Sequence, residues 1–504
     1  MLGAIRLAAV VLLTAAVAGG VQPPSSRRHL LVVVDGLRPD YITPAVMPKL
    51  TALGRRGVVF SRHHAVYPTV TRVNAASLST GAYPAAHGLM GNSVFFPTVN
   101  TTRFLDTADR NQLLAIMKAE PRLLTTPTLG EWLQASGRRM LVVSSGSGGS
   151  AFLNNHTLSG GAILHPQFTL PASLEPVAES AVPAPAPGAS ANVRDAYAVD
   201  LFLKVGLPQV DPAVTVLWLG GLDATTHVRG IGTPETVAVL RGVDHQIGRI
   251  EDGLRSAGVF DAYNIWITSD HGFSTYTGGA NTSAVLKPFA GTLADGSPRI
   301  VSSGGAIYVR DGDEPVIASI VAALQQIAGV GAIFTRGAAR GSLDGRVPGT
   351  LSFEAIRWDH ARAAHILISP DWSDAANAHG IRGSTASVGI AGHGSSSPWD
   401  IHNTAIAAGP DLKRGVTIEA PSGNVDFAPT FLKALGLRIP DSVQGRPLNE
   451  ALIDGPTLPA DAVRTFEHTA RTTDGRYAVT GNFSIVSSGG REYRYFDGTR
   501  VVRK

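Results

Sequence analysis

Six side chains of this sequence that could bind a metal fall where loops leave apolar or Gly/Ser-rich segments: Asp35, Asp223, His227, Asp270, His271 and His393. A mixed carboxylate and imidazole set suits Zn²⁺ and, less strictly, Mn²⁺ or Fe, whereas Ca²⁺ and Mg²⁺ prefer oxygen ligands alone. Three such side chains serve one ion. Six, with a hydroxyl, make two sites, and two ions about 3.5–4 Å apart form a clamp for in-line displacement at phosphorus. The hydroxyl candidates are Thr69 and Thr71 in "AVYPTVTRVNAASLSTGAYPAAHGLMGN", Ala65 to Asn92, a Pro-bounded turn entering a small-residue helix. Threonine is a weak nucleophile until a base or a metal activates it. Each fragment alone is weak. Asp35-Gly36 by itself is a turn, and Asp223 with His227 by itself is a helix-surface pair or a capped loop. Asp270-His271 is stronger, because a charged pair directly after an apolar strand needs partners. The recurrence of such residues at strand ends is what points to a metal site.

The elements that must position them alternate. "HLLVVVDGLRPDY" contains an apolar run, Leu30 to Val34, that reads as a buried strand ending at Asp35. The same pattern returns at Val214 to Leu219, ending near Asp223, and at Asn264 to Thr268, ending in Asp270-His271. Helical patterns intervene, notably the segment after Thr233, with Thr233 as N-cap, Pro234 at the first helical position and Gly258 past the end. Strands alternating with helices predict an α/β fold whose central, mostly parallel sheet is sandwiched by helices. Ligands bind such sheets outside the carboxyl ends of the strands, where these residues fall. Between Asp270-His271 and His393 a segment reading strand, helix, strand predicts a small inserted α+β lobe, at about 285–385. The expected organisation is a catalytic domain over 27–455 and a strand-rich extension over 456–504, with short strands and turns at Gly489-Gly490 and Asp497-Gly498. Residues 171–191 read as a Pro/Ala-rich surface excursion.

Composition narrows the function classes. The 504 residues are 44% hydrophobic and 16% charged, an ordinary globular balance. The net charge is +4 without a Lys/Arg block, so no nucleic-acid surface is indicated, and a negatively charged small substrate is compatible with it. The oligomeric state is not readable. No cysteine is present, which removes disulfides and thiol chemistry. Residues 1–18 combine Arg6, an apolar run and Ala16-Val17-Ala18, the layout of a cleaved secretory signal, and the run is short of the roughly 20 residues that span a bilayer. The mature chain is therefore expected without a membrane anchor, in the periplasm or outside the cell.

Taken together, "VVVDGLRPDY", "YPTVTRVNAASLSTGAYPAAHGLMGN", "LDATTH", "SDHGF", "AGHGSSSPWDIHNTAIAAGP" and "VDFAPTFLKALGL" resemble the type I phosphodiesterase/nucleotide pyrophosphatase branch of the alkaline phosphatase superfamily, over about residues 28–447. The resemblance implies an alkaline phosphatase-like fold and two zinc ions. It puts Asp35, Thr71, Asp270 and His271 on one ion and Asp223, His227 and His393 on the other. It makes Thr71 the nucleophile of a ping-pong mechanism through a phosphothreonine, and Asn92 the donor to a non-bridging phosphoryl oxygen. The implied activity is that of a phosphodiesterase or pyrophosphatase. A phosphomonoesterase or a phosphonate hydrolase on the same site is the alternative, and a binding protein without chemistry is disfavoured because every ligand candidate is present. A sulfatase would need a Cys or Ser in place of Thr71.

Where many nucleotide-cleaving relatives carry an aromatic residue after the nucleophile, this chain has Arg72. It either points to solvent from the first helical turn or faces the site as a fork of donors for substrate oxygens. Thr69 is expected to be structural. His63 and His64 are expected to be solvated, Asp40 to cap a helix, Asn74 to lie on a helix face, and His87 to fix the turn before Asn92. His379 and His402 are left outside the ligand set.

Overall fold

The computed structural model describes residues 27–504, so the signal-like segment 1–18 lies outside the described residues. Nine strands form the central sheet: β1 (Arg28–Val34), β2 (Val58–Phe60), β3 (Met140–Ser144), β4 (Ala162–His165), β5 (Phe168–Leu170), β6 (Val214–Leu219), β7 (Tyr263–Thr268), β8 (Ala405–Ala408) and β9 (Val416–Ile418). Their order is β9-β2-β8-β7-β1-β6-β3-β4-β5. The block β7-β1-β6-β3-β4 is parallel throughout, and antiparallel pairing enters only at β8 and β5. This is the mostly parallel, helix-sandwiched sheet expected from the alternation of elements.

β1 shows why the sheet forms. It is buried on both faces: Leu31 and Val33 enter one core, Leu30, Val32 and Val34 the other. A near-continuous aliphatic run is the sequence form of such a strand. On one face it meets α1 (Thr71–Thr80) and the helix Phe427–Ala434, through Ala75, Leu78, Phe427 and Phe431. On the other it meets the helix Pro48–Arg56 and α3 (Pro234–Ser256), through Leu50, Leu53, Val243 and Ile247. Between β6 and α3 lies α2 (Gly221–Arg229). Each fully buried Leu, Ile or Val contributes about 1.5–3 kcal/mol. Thr233 caps α3 by accepting from the Thr236 N–H, as its sequence signature implies.

A second, five-stranded sheet carries Ile300–Ser303, Ala306–Val309, Val330–Thr335, Leu351–Ser352 and Ile366–Pro370, with the helix Glu314–Gln325. It has its own core, including Ile317, Ile320, Phe334 and Trp358. Where the sequence reads one strand before that helix there is a hairpin, folded at Gly304-Gly305, both at positive φ. The tail departs further from expectation. Its strands, Val463–Arg471, Tyr477–Ser488 and Arg491–Arg503, are 9, 12 and 13 residues long, not short. Gly489-Gly490 is the turn between the last two. Asp497-Gly498 is not a turn: the pairing register slips there, and Asp497 is an extra residue in a continuous strand.

Candidate active site

Asp35 directly follows β1, Asp223 lies in the first turn of α2 just after β6, and Asp270-His271 come after β7 with one residue between. Because β6, β1 and β7 are adjacent and parallel, their carboxyl ends deliver these side chains to one place. His227 lies one helical turn after Asp223 on α2, so both share a face. His393 arrives on the loop after the short strand Ala391–Gly392. The six candidates gather into two groups, Asp35 with Asp270 and His271, and Asp223 with His227 and His393. In each group the ligand-capable atoms lie within 4.8 Å of one another. The rings of His271 and His393 stack with centroids 3.4 Å apart, which sets the groups side by side.

Every histidine is oriented through its far nitrogen. Nδ1–H donates to a backbone carbonyl in each: His227 to Ala391 at 3.0 Å, His271 to Gly272 at 2.9 Å and His393 to Thr69 at 2.9 Å. Nε2 then presents a lone pair to the carboxylates. His227 and His393 meet Asp223 Oδ1 at 3.2 and 3.4 Å. His271 meets Asp270 Oδ2 at 3.1 Å and Asp35 Oδ1 at 3.4 Å. The carboxylates are held in the same way: Asp35 Oδ2 accepts from Trp218 Nε1 at 2.9 Å, and Asp270 Oδ1 from the Gly36 N–H at 3.1 Å. The oxygens facing the histidines, Asp35 Oδ1, Asp223 Oδ1 and Asp270 Oδ2, are buried without a hydrogen bond. Lone pairs converging at such distances in a buried site repel unless a cation lies among them. Outer hydrogen bonds that fix tautomer and ring are the usual support of metal ligands. The donor set therefore fits divalent transition-metal ions.

Electrostatics agree. Burial, with the Asp270 and Asp223 carboxylates nearby, pushes the Asp35 carboxyl well up from its ordinary range. Against burial, Asp223 is held below the ordinary carboxylate range by His227 and His393 and Asp270 by His271, which requires those imidazoles to carry the positive charge that a cation would otherwise supply. Without added positive charge the three carboxylates cannot all ionise comfortably.

Thr71 is the first residue of α1, buried, and its Oγ1 donates to His271 Nε2 at 3.2 Å. No side chain caps this helix end, so its positive pole faces the ligand groups. Thr69 turns away and donates to the Ser395 carbonyl at 2.8 Å. Asn92 Oδ1 accepts from the Arg72 N–H at 3.0 Å, which leaves the amide nitrogen to donate elsewhere. The Arg72 side chain is half-buried rather than solvated. Burial lowers its pKa, opposed by the carboxylates of Asp35, Asp106, Asp223 and Asp270. Its guanidinium makes no hydrogen bond or ion pair with a described residue.

Several supporting residues escape a reading by motif. Trp218 in β6 orients Asp35. Asn74 is buried, not merely on a helix face: its amide accepts from Val66 N–H and donates to the Val66 carbonyl, tying the segment before the turn to α1. Asp400 accepts from the Ser395 N–H and Oγ at 2.9 and 2.6 Å and so shapes the loop of His393. Asp195 accepts from the Gly221 N–H, at the start of α2. His87 fixes its turn as expected, accepting from Leu89 N–H and bonding Ser77. Asp40 pairs with Arg38 rather than capping a helix. His63 and His64 are buried, contrary to the expected solvation. His379 and His402 belong to neither ligand group.

A cavity of about 330 Å³ opens beside Asn92 and His393 and reaches the second sheet at Gly304, Gly305 and Ile368. Its lining is mostly Gly, Ala, Ser, Pro and aliphatic side chains, with Met90, Asn92, Thr282 and His393 and no Phe, Tyr or Trp.

Among known proteins, rat ectonucleotide pyrophosphatase/phosphodiesterase family member 1 is 26% identical over 246 residues, 48% of this chain and 24% of its own length. The bovine bis(5'-adenosyl)-triphosphatase is 27% identical over 272 residues, 53% of each chain. The chain thus spans between a quarter and about half the length of these relatives. Murine ectonucleotide pyrophosphatase/phosphodiesterase 5 shares the fold, with a TM-score of 0.58 at 19% identity over 82% of this chain and 96% of that one. A solved form of it, inactivated by a threonine-to-alanine substitution and in complex with AMP, aligns with the same TM-score at 18% identity. Residues 29–381 match the type I phosphodiesterase / nucleotide pyrophosphatase family, and the chain belongs to that family.

Proposed function

We propose that this chain is an exported hydrolase of phosphate diesters and pyrophosphates that works through a covalent phosphothreonine at Thr71. Two divalent cations, zinc first, are held by Asp35, Thr71, Asp270 and His271 and by Asp223, His227 and His393. The side-by-side placement of the two ligand groups through the stacked His271 and His393 rings, with the Thr71 hydroxyl on His271 at a helix N-terminus, carries the reading. Bound divalent cations supply Lewis-acid chemistry, lowering the pKa of a hydroxyl and neutralising phosphoryl charge. The chain's own residues do the rest. Thr71 Oγ1, held by His271, attacks phosphorus in line. The Oγ–P bond forms as the P–O bond to the leaving alcohol or phosphate breaks, and the leaving group departs with the proton that the Thr71 hydroxyl gives up. Water then attacks the phosphothreonine, which releases the phosphate product and restores the Thr71 hydroxyl. The Asn92 amide, pinned by Arg72 N–H, donates to a non-bridging oxygen, and the pole of α1 favours the charge of the pentavalent transition state.

The bovine relative named as a triphosphatase of bis-adenosyl substrates and the AMP-bound murine structure support pyrophosphate and nucleotide esters as substrates. The cavity beside Asn92 offers no aromatic wall for a base, which favours general diester activity over nucleotide preference. The unpartnered guanidinium of Arg72 supports a second reading, phosphomonoester hydrolysis, since a dianion would satisfy it. Export rests on the pattern of residues 1–18. The test is turnover of bis-(p-nitrophenyl) phosphate. A chelator should abolish it and zinc restore it, Thr71→Ala should remove nearly all of it, and acid quench with mass mapping should find phosphate on the peptide holding Thr71. Equal turnover by wild type and Thr71→Ala would refute the assignment.

A further inference from the structure

His64, His402 and Asp497 share no residue with the two ligand groups, yet their nitrogen, nitrogen and oxygen atoms also lie within 4.8 Å of one another. Three separate parts of the chain meet here. The short strand His63–His64 pairs with His402–Asn403, with His64 directly opposite His402, and runs beside Ser422–Gly423. Asp497 comes from the last strand of the tail. It is the unpaired residue of the bulge there: Phe496 pairs with Phe483 and Gly498 with Asn482, leaving Asp497 without a cross-strand partner. Gly498 takes φ +136°, a conformation open to glycine and strained for other residues. A bulge re-aims a side chain, and this one turns Asp497 onto His64.

The bonding repeats the pattern of the active site. His64 Nδ1–H donates to the Ser422 carbonyl at 2.8 Å, so Nε2 presents a lone pair, and it faces Asp497 Oδ1 at 2.7 Å. The other oxygen, Oδ2, accepts from Ser484 Oγ at 2.7 Å. The neighbouring Arg62 is spent on Ser484 Oγ and does not pair with Asp497. A lone pair on the buried His64 and one on the half-buried Asp497 at this separation need positive charge between them. A proton would supply it for His64 and Asp497 alone and would give no reason for a second imidazole, with ring centroids 4.7 Å apart, to be brought to the same point.

We propose that His64, His402 and Asp497 form a separate metal site for Zn²⁺ or a similar transition-metal ion, which rivets the tail to the strand that leads into the nucleophile turn. Two imidazoles and one carboxylate are a donor set for such ions and a poor one for Ca²⁺ or Mg²⁺. The site is structural: His64 is followed within the chain by Ala65 to Tyr67 and then by the turn of Thr69 and Thr71, so the ion would fix where that turn begins.

Elemental analysis of chelator-stripped protein reloaded with Zn²⁺ alone tests this. His402→Ala and Asp497→Asn should each hold one ion fewer per chain than wild type and lose part of the zinc-induced rise in Tm. Equal ion counts in wild type and both variants would overturn the proposal and leave His64 and Asp497 as an ion pair. Should the variants fail to fold, anomalous scattering at the zinc edge from wild-type crystals decides. A peak enclosed by His64, His402 and Asp497 supports the site, and no peak there in zinc-saturated protein overturns it. Neither outcome depends on whether the ions at Asp223 and Asp270 are catalytic.

Discussion

Asp223 Oδ1 faces two imidazole lone pairs and no proton, and Asp270 Oδ2 faces one, which is why either carboxylate should be indispensable to its own ion. Asp223→Ala and Asp270→Ala should each remove one ion by elemental analysis and lower turnover by orders of magnitude. Retention of both ions by either variant would refute the grouping. Arg72 tests the substrate. A guanidinium with no partner among the described residues gains most from an oxygen-rich anion, and a charge-assisted contact is worth about 1.5–3 kcal/mol. Arg72→Phe should therefore lower kcat/KM for a phosphomonoester roughly ten- to hundredfold relative to a diester. Equal factors for both substrates would show that Arg72 does not set specificity. At this scale the sequence was legible where chemistry is rare: carboxylates and imidazoles at strand ends stand out because few other roles explain them. It was silent on Trp218, Asn74 and Asp400, whose types are common in cores and turns and whose importance lies only in what they touch. His63 and His64 misled for the same reason, since a pair of histidines carries no mark of burial.

The three parallel strands β7, β1 and β6 act as one element, since their registered ends place Asp270, Asp35 and Asp223 together. Their apolar runs announced them, to within two residues at the start of each strand. The hairpin at Gly304-Gly305 and the bulge at Asp497 were not legible in the same way, because pairing partners decide them and those lie far along the chain. The start of α2 depends on Asp195, which accepts from Ser145 Oγ at 2.6 Å and from the Gly221 N–H at 3.2 Å, while Oδ2 has no partner. Burial pushes its carboxyl up to about 6 despite both hydrogen bonds. An unfolded aspartate ionises near 3.9. The folded value is the higher one, so the stability that the neutral carboxyl contributes is present below about pH 4 and is lost as pH rises through about 6. Asp195→Asn keeps an acceptor for both donors and cannot ionise. In denaturant titrations its stability relative to wild type should rise by about 2–3 kcal/mol between pH 4.5 and 8. Metal loss at low pH affects both chains alike and cancels in the difference. A difference that does not change with pH would show that Asp195 is not held neutral.

For the molecule as a whole, the decisive feature is where the tail packs. The sequence sets 456–504 apart as a strand-rich extension beyond a catalytic domain over 27–455, on its short strand-like runs and turn signals. Its strands pack into the rest of the molecule. Ala470, Tyr477 and Val479 are buried in the core of the second sheet with Phe334 and Leu351. Tyr477 Oη donates to the Gly331 carbonyl at 2.7 Å. On the side of the main sheet, Tyr495 Oη donates to Asp426 Oδ2 at 2.8 Å and accepts from Arg446 Nε at 3.0 Å, inside a buried cluster with Glu450. Beside the loop of His393, Ser396 Oγ bonds Thr499 Oγ1 at 2.6 Å. The tail thus joins the second sheet, the helix Phe427–Ala434 and the His393 loop. Removing it uncovers the partners of Tyr477, Val479, Phe483, Val486 and Tyr495, all buried. At about 1.5–3 kcal/mol per side chain this is on the order of 10 kcal/mol, comparable with the whole stability of a typical domain, about 5–15 kcal/mol. It also leaves Arg446 and Asp426 buried without Tyr495. A chain ended at residue 455 should therefore be insoluble or unfolded, judged by far-ultraviolet circular dichroism and gel filtration, and should not hydrolyse bis-(p-nitrophenyl) phosphate. A soluble, cooperatively unfolding and active truncated chain would show that the tail is a separable domain and that the second sheet closes its core without it.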